Sequence, residues 1–273
     1  MPKRTETLDP PRSAMKPWRS GEEAWPSGAG RTTPRGSRTS PGPQAVSASP
    51  AECASIVPCE AAEGLDAITR PEVELVIWQR SLPSRLETWL ERLDATLLPD
   101  LRLLVRPGDR VRALEPLLDD CGLPKGERRA LLLCDVDDLV SAFARIARTD
   151  LVDVRLESTS GDACWKFHRD RVEARLLTTY RGPATEWVRP RHAEAALRAQ
   201  KRFEGPVEHL RAHDVAIFKG SCAGGPGSGI VHRSPPIAGT GCTRLLLCLN
   251  KPSAASPEPW PKGSGSDARD HEP

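Results

Sequence analysis

Two periods of hydrophobic spacing divide the chain. Between residues 71 and 149 apolar side chains recur mainly every three to four positions, and after Asp150 they recur every second position. The first spacing lays an apolar stripe along a helix, the second an apolar face along a strand. Order is expected to begin near Pro71, where Val73-Glu74-Leu75-Val76-Ile77-Trp78 suits a strand entering the core. Leu86, Trp89, Leu90, Leu93 and Leu97 follow at helical spacing, and Pro99 ends the run. Ser84 and Glu87 fit a capping box, in which each side chain satisfies an orphan amide of the first turn. A short apolar stretch at 101–105 closes at Pro107-Gly108. Further helices are predicted over 111–120, 127–133 and 136–147, the last with Val136, Leu139, Val140, Phe143 and Ile146 on one face. Residues 71–149 are thus expected to form a helical layer, with Trp78 and Trp89 in its core.

The period-two region predicts strands over 151–157, 172–180, 185–188, 207–210, 214–218, 229–231 and 244–249, with an inserted helix over 191–200. Gly- and Pro-rich turns separate them, such as Arg181-Gly182-Pro183 and Gly224-Gly225-Pro226-Gly227. Many short strands with such turns indicate a sandwich or barrel. The fold class expected is α+β, one domain over 71–252 with its β core at 150–252. Residues 1–65 are rich in Pro, Gly, Ser, Thr and Arg without periodicity, and cannot bury enough apolar surface to offset their ordering entropy. They are expected to be a disordered tail, with Met15 as a second candidate start, and 253–273 a second such tail.

Composition narrows the function classes. The 273 residues carry 39 basic and 37 acidic side chains, a net charge of +2, without the clustered basic face that nucleic-acid binding needs. No stretch approaches the roughly 18 apolar residues of a membrane helix. The eight cysteines show no CxxC pair, and no apolar segment follows the basic N-terminus, so reduced thiols in the cytoplasm are expected.

The candidate chemistry lies between Cys164 and Asn250. Phe167-His168-Arg169-Asp170 places a histidine and an aspartate two apart, so on an extended segment both side chains reach the same side. Ile230-Val231-His232 supplies a second histidine on a later strand. Two histidines and one carboxylate can hold one face of iron(II) and leave the other open for a cosubstrate and oxygen; zinc accepts the same donors.

The run Asp214-Val215-Ala216-Ile217-Phe218-Lys219-Gly220, the Gly-rich turn, Val231-His232-Arg233 and Arg244-Leu245-Leu246-Leu247 is similar to the second half of iron(II), 2-oxoglutarate-dependent oxygenases. The resemblance covers about residues 150–250 and implies a double-stranded β-helix (jelly-roll, cupin-like). It implies that His168, Asp170 and His232 bind iron, and that Arg244 binds the far carboxylate of 2-oxoglutarate. Tyr180 is either a hydrogen-bonding partner of that cosubstrate or a core or rim tyrosine. The wider chain, from about Leu75 and including Thr178 to Trp187 and His232-Arg233-Ser234-Pro235-Pro236, also resembles a bacterial family of unknown function. Its members often lie near zinc-handling GTPases, which implies metal homeostasis as a setting and such a GTPase as a partner.

Other arrangements compete. His192 and Glu194 are two apart, but in a helical stretch such positions diverge. Cys164, His168 and Cys222 form another zinc set, though at no standard spacing. His209, His213 and His271 read as surface or edge residues. Arg175 can face either side of its strand, Glu186 and Trp187 either line a substrate mouth or pack, and Arg233 either binds an anion or covers the barrel rim. Two functional readings follow: an oxygenase hydroxylating a small-molecule or protein substrate, and a non-enzymatic cupin-like zinc-binding protein. A decayed interaction module is a third.

Overall fold

The apolar run at 73–78 is a strand hydrogen-bonded on both sides, and the large sheet grows outward from such runs. The computed structural model describes residues 55–261 except Pro226 and Ser228. Ten strands are described: β1 Ser55–Cys59, β2 Val73–Trp78, β3 Leu101–Val105, β4 Val152–Thr159, β5 Ala174–Arg181, β6 Glu186–Trp187, β7 Glu208–His209, β8 Val215–Lys219, β9 His232–Arg233 and β10 Arg244–Asn250. The helices are α1 Ser84–Arg92, α2 Arg110–Asp120, α3 Glu127–Ala147 and α4 Ala193–Ala199. Seven strands form one sheet in the order β1-β2-β8-β5-β10-β4-β3, and β7-β6-β9 form a small second sheet. Only β1 and β2 run parallel.

The large sheet has two chemically different faces, set by the alternation of side chains along each strand. On one face Val154, Leu156, Leu176, Val215, Ile217, Leu245, Leu247 and Leu249 pack with Leu86 and Leu90 of α1, Leu114 and Leu118 of α2, and Val136, Val140 and Phe143 of α3. This is the main core. On the other face Leu75, Leu177, Ala216, Phe218 and Cys248 meet Trp187 of the small sheet, Leu210 and Ile230. The second face therefore holds the space between the sheets, where Arg175 and Arg244 also project.

Several expectations change. The helical layer over 71–149 is not separate from the β core, because β2 and β3 fall inside it and join the large sheet. The expected break between the third and fourth helices is absent: α3 runs unbroken through Asp135, whose charge is met by Arg80 and Tyr180. Ser84 does not cap α1. Pro83 occupies the cap position without a side-chain hydrogen bond, and the helix stops at Arg92, after which Asp94 caps a short 3₁₀ turn through the Thr96 amide.

Order also extends beyond both expected tail boundaries. Residues 55–59 form β1 against β2, and Leu65 and Ile68 of the following 3₁₀ turn are buried in the main core. At the other end the Trp260 amide donates to the Leu104 carbonyl, 2.7 Å away, and Ser256 Oγ donates to Asp153. The remaining expected tails, 1–54 and 262–273, lie outside the described residues. Among the described residues no helix is long and apolar enough to cross a membrane.

Candidate metal centre

His168 and His232 come together by strand pairing. They form an antiparallel bridge in which each amide donates to the other's carbonyl at 3.0 Å. Residues directly opposite in such a pair project to the same side, and the ring centroids lie 4.6 Å apart. Trp187 of β6 borders His232 from the other side. The preceding turn depends on Gly229, at φ +93°, where a Cβ would lie 2.7 Å from the Lys219 carbonyl oxygen. The ring of Phe218 packs on His232 at 4.9 Å.

Asp170 is held by its backbone from the loop that follows β8. The Ser221 amide (2.8 Å) and hydroxyl (3.1 Å) both donate to the Asp170 carbonyl, and the Cys222 amide donates to Val172. Gly220 permits this approach: a Cβ there would lie 2.6 Å from the Asp170 carbonyl oxygen and 2.3 Å from that of Val172. The carboxylate then meets both imidazoles, with Oδ2 3.3 Å from His232 Nε2 and Oδ1 3.6 Å from His168 Nε2. One donor atom from each of His168, Asp170 and His232 lies within 4.8 Å of the other two. Among the described residues no other group of three His, Cys, Asp or Glu side chains is so arranged. The Cys164–His168–Cys222 set is therefore not assembled.

Backbone carbonyls face the Nδ1 atom of both imidazoles. His168 Nδ1 is 2.8 Å from the Lys166 carbonyl oxygen and His232 Nδ1 is 3.2 Å from that of Ile230. A hydrogen on each Nδ1 satisfies these carbonyls and leaves the Nε2 lone pairs for an acceptor of electron density. Burial by itself raises the Asp170 carboxyl, but the two imidazoles beside it and the charge of Arg175 outweigh it. The carboxyl is held well below the usual carboxylate range. Its Oδ2 is buried and has no hydrogen-bond partner.

Arg244, only 2% exposed, opens β10 on the site-facing side of the large sheet. Its Nη1 donates to Ser234 Oγ at 2.7 Å, two residues after His232, and its Nη2 lies 3.5 Å from Thr185 Oγ1. Nε has no partner, and no carboxylate among the described residues forms an ion pair with this guanidinium. Burial lowers its pKa, opposed by the charges of Glu157, Cys164 and Glu186.

Tyr180 does not belong to this site. It lies five residues from Arg175 on β5, so the two side chains leave opposite faces of the strand. Tyr180 is fully buried on the helix side, where its hydroxyl donates to Asp135 Oδ2 at 2.6 Å beside the Arg80–Asp135 ion pair. Arg175 takes the site side and donates to Asp170. Arg233 is committed to the rim: it pairs with Glu186 at 2.6 Å and covers the Phe167 ring at 4.2 Å. His192 accepts from Arg191, and Glu194 pairs with Arg169. His209 is exposed and lies 3.8 Å from Glu186, whereas His213 is buried with a positive φ of 70°. His271 lies outside the described residues. Ser234, Thr185 and Gly220 lie within the stretches quoted from sequence but had no site role there; Asn250, opposite Arg175 in the sheet, had none either.

The family described as "Protein of unknown function (DUF1826)" matches residues 60–250. The chain belongs to this family. The matched span contains all three candidate ligands and Arg244. No curated protein matches the DUF1826 chain. Among solved structures it is similar to a Pseudomonas putida prolyl-4-hydroxylase, with 13% identity, TM-score 0.34, and coverage of 70% of this chain and 94% of the other. AviO1 from Streptomyces viridochromogenes Tue57 shows 16% identity and TM-score 0.34 over 72% and 97% of the two chains. Full-length Neurospora crassa T7H, solved in complex with alpha-KG, shows 10% identity and TM-score 0.34 over 72% and 84%.

Proposed function

We propose that this chain is an iron(II)- and 2-oxoglutarate-dependent oxygenase whose two sheets are the walls of a double-stranded β-helix. The observation that carries the reading is the His168–Asp170–His232 cluster, with donor atoms within 4.8 Å and both Nδ1 positions turned to backbone carbonyls. Two imidazoles and a carboxylate fit a divalent metal of borderline softness, and the unpartnered Asp170 Oδ2 is an acceptor left for it. Arg244 adds the cosubstrate. A buried guanidinium without a counter-ion is costly unless an anion completes it, and its planar fork suits a carboxylate.

Bound iron(II) with 2-oxoglutarate supplies oxygen activation for hydroxylating a substrate C–H bond, with decarboxylation of the cosubstrate. The protein's part is positional. His168, Asp170 and His232 present three donors from one side. Arg244 holds the far carboxylate and thereby orients the 2-oxoacid end, while Ser234 keeps the guanidinium aimed. Phe218, Trp187 and Ile230 form an apolar wall that limits water beside His232.

The test is an anaerobic titration of metal-free protein with iron(II) and then 2-oxoglutarate, watching for the visible metal-to-ligand charge-transfer band. Its appearance establishes the cosubstrate site. Tight zinc binding with no band refutes the oxygenase reading and leaves a zinc-binding protein of metal homeostasis, the setting in which a zinc-handling GTPase would be the partner to seek.

A further inference from the structure

One charged side chain in the site does more than fill space. Arg175 reaches from β5 to two partners at once: Nη1 donates to Asp170 Oδ1 at 2.6 Å and Nε donates to Asn250 Oδ1 at 2.8 Å. Asn250 sits opposite Arg175 in the β5–β10 register, so this end of the guanidinium is anchored by the sheet itself. On its other side Arg175 pairs with Phe218 of β8, the residue whose ring packs on His232. One row across the sheet therefore supports both the carboxylate and the second imidazole.

The two oxygens of Asp170 are consequently unequal. Oδ1 is engaged by Arg175, whereas Oδ2 is buried, unpartnered and 3.3 Å from His232 Nε2. We infer that Arg175, braced by Asn250, is a positioning residue that reserves Oδ2 for the metal and makes Asp170 a one-oxygen ligand. The inference rests on the metal-site reading above and deepens it. A second consequence concerns charge. The guanidinium offsets the carboxylate, so the site holds a dication through geometry more than through net negative charge, and the opposite face stays free for an anionic cosubstrate.

A cation near a metal site also repels the metal, which makes the sign of the effect informative. If Arg175 acted only as a nearby positive charge, removing it would tighten divalent binding. If it positions Asp170, removal loosens binding despite the lost repulsion, because outer-shell partners of metal ligands are worth about 10–100-fold in affinity. The geometry favours the second outcome: the hydrogen bond is short, and Asn250 fixes the far end of the arginine.

The experiment measures cobalt(II) binding to wild type, Arg175→Met, Arg175→Lys and Asn250→Ala by calorimetry, with the visible ligand-field spectrum and the Tm of each metal-free protein recorded alongside. Arg175→Met is expected to lower cobalt affinity about 10–100-fold and alter the band shape as Asp170 gains freedom. Asn250→Ala is expected to move both in the same direction by less. Arg175→Lys retains the charge but cannot span both partners, and is expected to restore the affinity only partly. Equal or tighter binding by Arg175→Met with an unchanged spectrum overturns the positioning role. Should Arg175→Met fail to fold, Asn250→Ala decides the matter by the same two readouts. Absence of any stoichiometric cobalt binding by wild type overturns the metal site and this inference with it, and is distinguished by being seen before any substitution.

Discussion

Arg244 offers the sharpest test, because the functional reading requires stability and binding to move in opposite directions when it is replaced. The Arg244 guanidinium is almost fully buried, with one good hydrogen bond, to Ser234, an unpartnered Nε and no ion pair among the described residues. Leaving a buried charge uncompensated costs about 3–5 kcal/mol. Arg244→Met removes that cost and fills similar space, but it forfeits the bond to Ser234, worth about 1.5–3 kcal/mol for a charged donor. The balance is a gain of between about 0 and 3.5 kcal/mol, or up to about 14 °C in Tm for a domain of this size. Binding responds the other way. Removing one partner of a buried, hydrogen-bonded charge pair costs about 2–5 kcal/mol, so affinity for 2-oxoglutarate should fall about 30-fold or more. Thermal unfolding of the metal-free protein and calorimetric titration with 2-oxoglutarate in the presence of manganese(II) measure the two effects. A variant that melts well below wild type yet binds 2-oxoglutarate as tightly would refute the reasoning, since Arg244 would then be a structural cation.

Three further substitutions give expected outcomes. Tyr180→Phe should cost about 1.5–3 kcal/mol by removing a hydrogen bond to the charged Asp135, with no change in metal or 2-oxoglutarate affinity; a loss of affinity would return Tyr180 to the site. Burial, followed by the charge of Asp135, raises the Tyr180 hydroxyl well above its usual value of about 10, so the unfolded chain ionises first. Tyr180 therefore contributes stability below pH about 10 that is lost as pH rises further, and denaturant midpoints from pH 9 to 11 should fall less steeply in Tyr180→Phe than in wild type. His232→Ala should abolish stoichiometric iron binding while the fold survives, which metal analysis and circular dichroism together check; full iron content would remove His232 from the site. Gly220→Ala should displace the Asp170 and Val172 carbonyls, weakening cobalt binding about tenfold or more as the carboxylate is displaced, measured by the same titration.

What could be read from the sequence followed from local periodicity. The apolar run at 73–78, the helical stripes and most period-two strands after Asp150 reflect which face of an element must be buried, and the structure has strands or helices there. The strand expected over 229–231 forms instead at His232–Arg233. His168 and Asp170 were readable as a pair because alternate residues of an extended segment share a side. Where local signals competed, the reading failed. Ser84 looks like a cap but the helix begins one residue earlier in its capping pattern, and Asp135 looks like a stop between helices although its charge is neutralised by Arg80, 55 residues away.

The parity of β5 shows the boundary most clearly. Sequence placed Arg175 and Tyr180 on one strand and left the facing of Arg175 open. It could not determine which side holds the chemistry, because that depends on which face α1, α2 and α3 cover and which face meets the small sheet. Likewise the order His-x-Asp and a distant His named the donors, but only the His168–His232 pairing and the loop at 220–222 bring them together. The types of candidate donor are carried by local sequence. Their distances, the commitment of Arg175 to Asp170 and the burial of Arg244 without a counter-ion arise from contacts between segments far apart in the chain, which no local pattern encodes.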